Sequence, residues 1–148
     1  MTRRVITGLD EGGRSCVLID GPVRAFEAGY GGHVWRADAI PADNSGTADA
    51  APGHFSYEHF HDGGANFFVI DMPPGERSST HATDTLDYIV MMDGEVVLEL
   101  DAGEVRLQSG DTLVDRGVLH AWRNEGPATA RYAVVTLPAH SVGKGRTV

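Results

Sequence analysis

The chain has 148 residues, 41% of them apolar and 22% charged, enough to bury one hydrophobic core and too few for two. Its formal charge of −9, with no cluster among its twelve Lys and Arg, excludes a partner recognised through a phosphate backbone, so no nucleic acid is expected. Apolar stretches such as Val134 to Leu137 fall far short of a membrane span, so no membrane is expected either.

Arg3 and Arg4 open the chain, but Val5 to Gly13 mix Thr, Asp, Glu and Gly where a secretion signal needs an apolar block, which predicts a cytoplasmic protein. Cys16 is the single cysteine. It can form no internal disulfide and has no companions for a thiolate site, so it is expected to be an inert thiol and any metal must be held by nitrogen and oxygen. Val17-Leu18-Ile19 and His33 to Ala37 each read as a strand, while Pro41 to Gly53, rich in Ala, Asp, Asn, Ser and Gly, reads as a long loop or flap. His59-Phe60-His61 has a spacing that on a strand would put both imidazoles on one face. With the turn Asp62-Gly63-Gly64 behind it and no carboxylate at a matching distance, it is expected on the surface or in the flap.

From Ala65 onward, short strands alternate with turn signals. Asn66 to Met72 is aromatic and β-branched, and Pro73-Pro74-Gly75 ends it. Tyr88 to Met92 and Glu95 to Leu100 flank Asp93-Gly94, read as a two-residue hairpin turn with positive φ at both central residues. A second tight connection lies at Asp101-Ala102-Gly103, Glu104 to Leu107 alternates polar and apolar, Ser109-Gly110-Asp111 turns again, and Arg131 to Leu137 closes the series. The class is all-β, a sandwich or barrel, in one domain: N-terminal strands and flap over 1–64, the barrel core over 65–139, and a tail over 140–148 that is loose from Lys144 onward.

Of the seven histidines, two stand where ligands could converge. His81 follows Gly75 after five residues and precedes Asp87 by six, and His120 follows Gly117 after two residues and precedes Asn124 after three. Gly75-x5-His81-x-Thr83-x3-Asp87-x6-Gly94 resembles the first motif of the cupin superfamily, and Gly110-x6-Gly117-x2-His120-x3-Asn124 resembles the second. The resemblance implies a double-stranded β-helix, or jelly-roll, barrel. Alternation sends His81 and Thr83 inward together, Asp87 starts the next strand on the same wall, and His120 arrives from a later strand with Trp122 on its face. Two imidazoles and a carboxylate inside a narrow barrel can hold a divalent ion, Fe(II) preferred, with Zn, Mn, Ni or Co also compatible.

The chain departs from the family pattern at Thr83, where the family usually has a second His, and at Asp87, where it usually has Glu. Threonine is a poor neutral ligand, and the aspartate reaches an ion only if its strand lies closer. The second motif is one residue short and lacks its proline. A hydrogen-bonded polar cluster of His81, Asp87 and His120 without metal stands as the alternative, and Thr83 is open between ligand, outer donor and spectator. Trp122, Trp35 and Phe68 are expected as pocket walls or as core. His33, His54 and His140 are expected to face solvent or to be satisfied locally, and Arg123 and Tyr88 to point away from the site.

The run from His81 to Tyr88, with Gly94-Glu95, Gly110-Asp111 and His120-Ala-Trp-Arg-Asn, is similar to single-domain cupins of bacteria and of fungal secondary-metabolite clusters, often labelled oxidoreductases. That implies a metal-dependent enzyme acting on a small, aromatic or polyketide-like metabolite with oxygenase-type chemistry. A metal-assisted lyase or isomerase (dehydratase or decarboxylase) and a non-catalytic small-molecule binder are the alternatives. Cupins commonly pair as homodimers, and residues 1–40 look suited to adding strands to a neighbour's sheet.

Overall fold

The computed structural model describes residues 1–148 and is built almost wholly of strands. In chain order these are β1 (Arg3–Leu9), β2 (Ser15–Pro22), β3 (Arg24–Ala25), β4 (Gly31–Ala37), β5 (Ala65–Met72), β6 (Thr85–Asp93), β7 (Glu95–Leu100), β8 (Gly103–Gln108), β9 (Thr112–Asp115), β10 (His120–Arg123) and β11 (Ala130–Pro138). A single 3-10 turn, Tyr57–Phe60, interrupts them. No helix is long and apolar enough to cross a membrane.

Two sheets form the barrel. One runs β3-β4-β5-β11-β6-β9 and the other β10-β7-β8, every neighbouring pair antiparallel, while β1 and β2 make a separate hairpin. β11 is central because its residues alternate: Ala130, Tyr132, Val134 and Thr136 are buried, and the residues between them are less so. Between the sheets lies one apolar cluster, including Phe68, Met72, Ile89, Met91, Val96, Leu98, Trp122, Tyr132 and Val134. The strand pattern and the jelly-roll expectation thus describe the barrel correctly.

Three local expectations change. Asp93-Gly94 is not a hairpin, since β6 and β7 belong to opposite sheets. Only Gly94 has positive φ (+73°), so the type I′ geometry is missing, and a side chain there would stand 2.9 Å from the Ala130 Cα. The dipeptide is a corner at which the chain crosses from one sheet to the other. The tail, in turn, is docked rather than loose: Thr147 and Ala82 exchange backbone and side-chain hydrogen bonds at 2.9 Å. The segment 41–53 is irregular, as expected, but it packs beside the N-terminal strands, where Asp49 accepts from Arg4 and the Ala51 carbonyl from Arg24.

The roof of the barrel is instead the segment carrying Phe55, Tyr57 and Phe60. Arg36 and Asn66, both buried, donate to the His59 carbonyl at 2.8 and 2.9 Å, and Asn66 also donates to Thr136 at 3.0 Å. These bonds tie the 3-10 turn to β4, β5 and β11, because a buried amide left unpaired there would be costly.

Candidate active site

A cavity of about 340 Å³ lies between the sheets. Its walls are mostly apolar, with the aromatic rings of Phe26, Phe55, Phe60, Phe68, Trp122 and Tyr132 among them, and it also carries His81, Thr83, Asp87 and His120. Phe68, Trp122 and Thr83 are among its lining residues.

Trp35 does not line it. His33 pairs with Phe68, but a bulge follows, and Trp35 pairs with Phe67, which is 38% exposed on the outer face. One extra residue in a strand reverses the parity of everything after it, so Trp35 turns outward where unbroken alternation from His33 would have sent it in.

His81 and His120 come together as the spacing predicts, although His81 sits on an isolated bridge and not in a full strand. Each backbone N–H donates to the other's carbonyl, at 2.9 and 3.0 Å, and the ring centroids are 4.6 Å apart. Each ring also donates Nδ1–H to a carbonyl two residues back, His81 to Ser79 at 2.8 Å and His120 to Val118 at 2.9 Å. Nδ1 therefore carries a proton in each ring, and in the neutral form the lone pair lies on Nε2.

The two rings are shifted in opposite directions. Burial and the neighbouring His120 hold His81 below the ordinary imidazole range, against the pull of the Ser79 carbonyl. Burial would lower His120 too, but the Asp115 carboxylate, 2.8 Å from Nδ1, outweighs it and raises the pKa. Asp115 is itself held below its ordinary value despite burial, because His120 and the N–H groups of Val118 and Gly117 stabilise its charge. Gly117 makes this arrangement possible: φ is +73° and a side chain there would stand 2.8 Å from the Thr83 carbonyl, so only glycine lets the turn between Asp115 and His120 lie against the segment that leads into β6.

Asp115 was not among the residues singled out by sequence. Its signal was present, an Asp two residues before Gly117 and five before His120, but Asp-x-Gly reads first as a turn.

Asp87 lines the same cavity with its Oδ1 buried and without a partner. Burial, reinforced by the Asp115 charge and opposed by the Thr85 hydroxyl, pushes it up to about 6. The Thr83 hydroxyl lies 2.7 Å from that of Thr85.

His81, Asp87 and His120 all line this cavity, but no three His, Cys, Asp or Glu side chains are gathered closely enough in the structure to form a ready metal site. The reason is local. Threonine replaces an imidazole at 83, Asp87 is one methylene shorter than glutamate, and the carboxylate closest to His120 is Asp115, which sits on the Nδ1 side of the ring. Two imidazole nitrogens are in place, and Asp87 is the carboxylate that shares the cavity wall with them.

His59 and His61 lie at the end of the 3-10 turn and not on a strand. The His59 ring is 5.1 Å from His54 and 6.2 Å from His33, and His61 Nε2 accepts from the Asp84 N–H at 3.3 Å. His33 is buried, with Nε2 3.2 Å from the His54 carbonyl and its pKa pushed down to about 4 by burial.

Residues 68–136 match the family model described as Cupin_2, cupin domain. Over 82 residues the chain is 44% identical to the Phomopsin biosynthesis cluster protein C′ of Diaporthe leptostromiformis, covering 54% of this chain and 43% of that protein. Over 136 residues it is 29% identical to the cupin-domain-containing oxidoreductase srdD of Neurospora crassa, covering 82% of this chain and 65% of that one. A solved Cupin 2 conserved barrel domain protein from Salinispora arenicola is 20% identical, with 51% of this chain and 64% of that one covered at a TM-score of 0.47. The chain spans less than half the length of the biosynthesis-cluster relatives.

Proposed function

We propose that this cupin-domain chain is an enzyme acting on a small, largely apolar metabolite of aromatic or polyketide-like build, with oxidoreductase chemistry of the oxygenase type. The observation that carries the reading is an aromatic cavity with two imidazoles of opposite proton affinity on one wall. The reaction class is supported by the name of the Neurospora crassa relative.

In this reading the apolar walls exclude water from a bound ring system. His120, held by Asp115, takes up a proton at Nε2, while His81 stays neutral and accepts a hydrogen bond at its own Nε2. Asp87, with a pKa of about 6, gives up or takes a proton near neutral pH.

Oxygen uptake across a library of small aromatic compounds, with His120→Ala alongside, tests this proposal. Turnover is expected to fall by about a hundredfold or more in the variant. Turnover that persists without oxygen would replace it with a lyase or isomerase, and binding without any turnover would leave a small-molecule binding module.

A second reading adds a divalent ion, Fe(II) foremost and Zn, Mn, Ni or Co otherwise, held by His81 and His120 with Asp87 as the carboxylate. It is favoured by the free Nε2 atoms and by the partnerless buried Oδ1 of Asp87. Such an ion, when bound, supplies oxygen activation or carbonyl polarisation. Metal analysis of the purified protein and of His81→Ala tests it: a stoichiometric ion lost in the variant supports the site, and no ion after reconstitution sinks it.

The partner reading is a homodimer. It is supported by the β1–β2 hairpin, which belongs to neither barrel sheet and exposes Val5, Leu9 and Val17. A monomeric mass in light scattering would refute it.

A further inference from the structure

The segment that carries His81 changes partners at that residue. Before it, the Ser78 N–H donates to the Trp122 carbonyl at 2.8 Å, and His81 itself bridges to His120, both on the β10 side. After it, the chain turns to the C-terminal residues. The Ala82 N–H donates to the Thr147 hydroxyl and the Thr147 N–H to the Ala82 carbonyl, each at 2.9 Å, and the Ala139 N–H donates to the Asp84 carbonyl at 3.0 Å. Ala82 to Asp84 lie outside every strand, since β6 begins only at Thr85.

The same C-terminal residues meet the segment that carries His120. Val142 lies against Gly117, 3.6 Å from where a side chain would begin, and Gly117 precedes Val118, whose carbonyl accepts from the His120 ring. The return from Val142 toward Thr147 is a shaped turn: Gly143 and Gly145 have φ of +59° and +72°, and the Gly145 N–H donates to the Val142 carbonyl at 2.9 Å. Between the tail and the 117–119 turn lies a recess of about 360 Å³, so hydrogen bonds at its ends, and not packing along its length, hold the tail in place.

We propose that residues 139–147 are a clamp that fixes the spacing of the two imidazoles, with Thr147 as its positioning residue. This rests on the reading of His81 and His120 as the working pair and adds what holds them. Thr147 acts through Ala82, which is 3% exposed, so that water does not readily take over its N–H, and which one peptide joins to His81. An inward side chain within a sheet has ladder bonds on both flanks. His81 has them toward β10, and the tail supplies the other flank one residue further on.

Amide hydrogen exchange and histidine ring resonances of the full chain, compared at one pH in wild type, Thr147→Val and Thr147→Ser, test the clamp. Valine keeps the branched shape and removes the acceptor, whereas serine keeps the hydroxyl. Thr147→Val is expected to speed exchange at the His81 and His120 amides by about threefold to tenfold, the size of one lost hydrogen bond, and to leave Tyr132 and Val134 in β11 as they were. It should also shift the ring resonances of both histidines, which shield one another at 4.6 Å. Thr147→Ser should match wild type throughout. Unchanged exchange at His81 and His120, or ring resonances that stay put, overturns the proposal. So does a serine variant that behaves like valine, and so does a loss of protection that spreads equally to β11, which would make Thr147 a contributor to global stability alone. Both signals are read without substrate, so a chain that fails the oxygen-uptake test can still confirm the clamp, and a failed clamp leaves the oxygen-uptake result intact.

Discussion

Trp122 and Arg123 are neighbours on β10 and face opposite sides of the same sheet. Outside, Arg123 meets Glu99, Glu104 and Glu125, Arg106 meets Glu95 and Glu125, and Arg77 meets Glu99. Inside, next to Trp122, stand a carboxylate oxygen of Asp87 without a partner and two imidazoles with free Nε2 atoms. Water supports the outer charges whether or not they pair, so their pairing says little about function. No water dilutes the cost of the inner ones, and titratable groups kept at such a cost mark where chemistry is done.

Four substitutions probe that contrast, in decreasing order of expected effect. Trp122→Ala should lower unfolding stability by about 3–5 kcal/mol in urea denaturation, since it empties a core position stacked on Tyr132; a loss no greater than that of a surface change would mean the inner face is loosely packed. Asn124 is a buried polar residue with its amide paired, donating to Met72 and Ala128 and accepting from Gly126, each at 2.8 Å. Asn124→Ala is therefore expected to cost about 2–4 kcal/mol, measured the same way.

Asp87→Asn should do the opposite and stabilise the protein by about 1–3 kcal/mol at pH 7. The folded pKa, about 6, lies above the unfolded value of 3.8, so between those values the native state holds more protons and stability falls as pH rises. Above about 6 the full loss is present in the wild type and absent in the variant, and below the unfolded value the difference should vanish. Denaturation midpoints at acid and neutral pH decide it; a variant less stable at pH 7 would show that the carboxylate has a partner after all. Arg123→Ala should shift the melting temperature least of the four, with the remaining difference shrinking in high salt. A shift matching that of Asn124→Ala would remove the distinction between the two faces.

Much of the barrel was legible because its signals are local. Alternation along β11, the turns at Asp101-Ala102 and Ser109 to Asp111, and the spacing that pairs His81 with His120 all hold. The errors share one cause. Asp93-Gly94 reads as a hairpin until Ala130 from a distant strand crowds it into a corner, and Trp35 reads as inward until a bulge changes its parity. Asp115 goes unremarked in the sequence because only the folded chain brings His120 back over it.

Residue order by itself determined where strands run and stop and that two histidines meet, since backbone alternation and turn preferences act over a few residues. Tertiary structure alone decided which carboxylate serves which imidazole and that the Thr83 hydroxyl lies against that of Thr85. Those outcomes depend on sheet closure between strands far apart in the chain, where a shift of one residue or one methylene changes the partner.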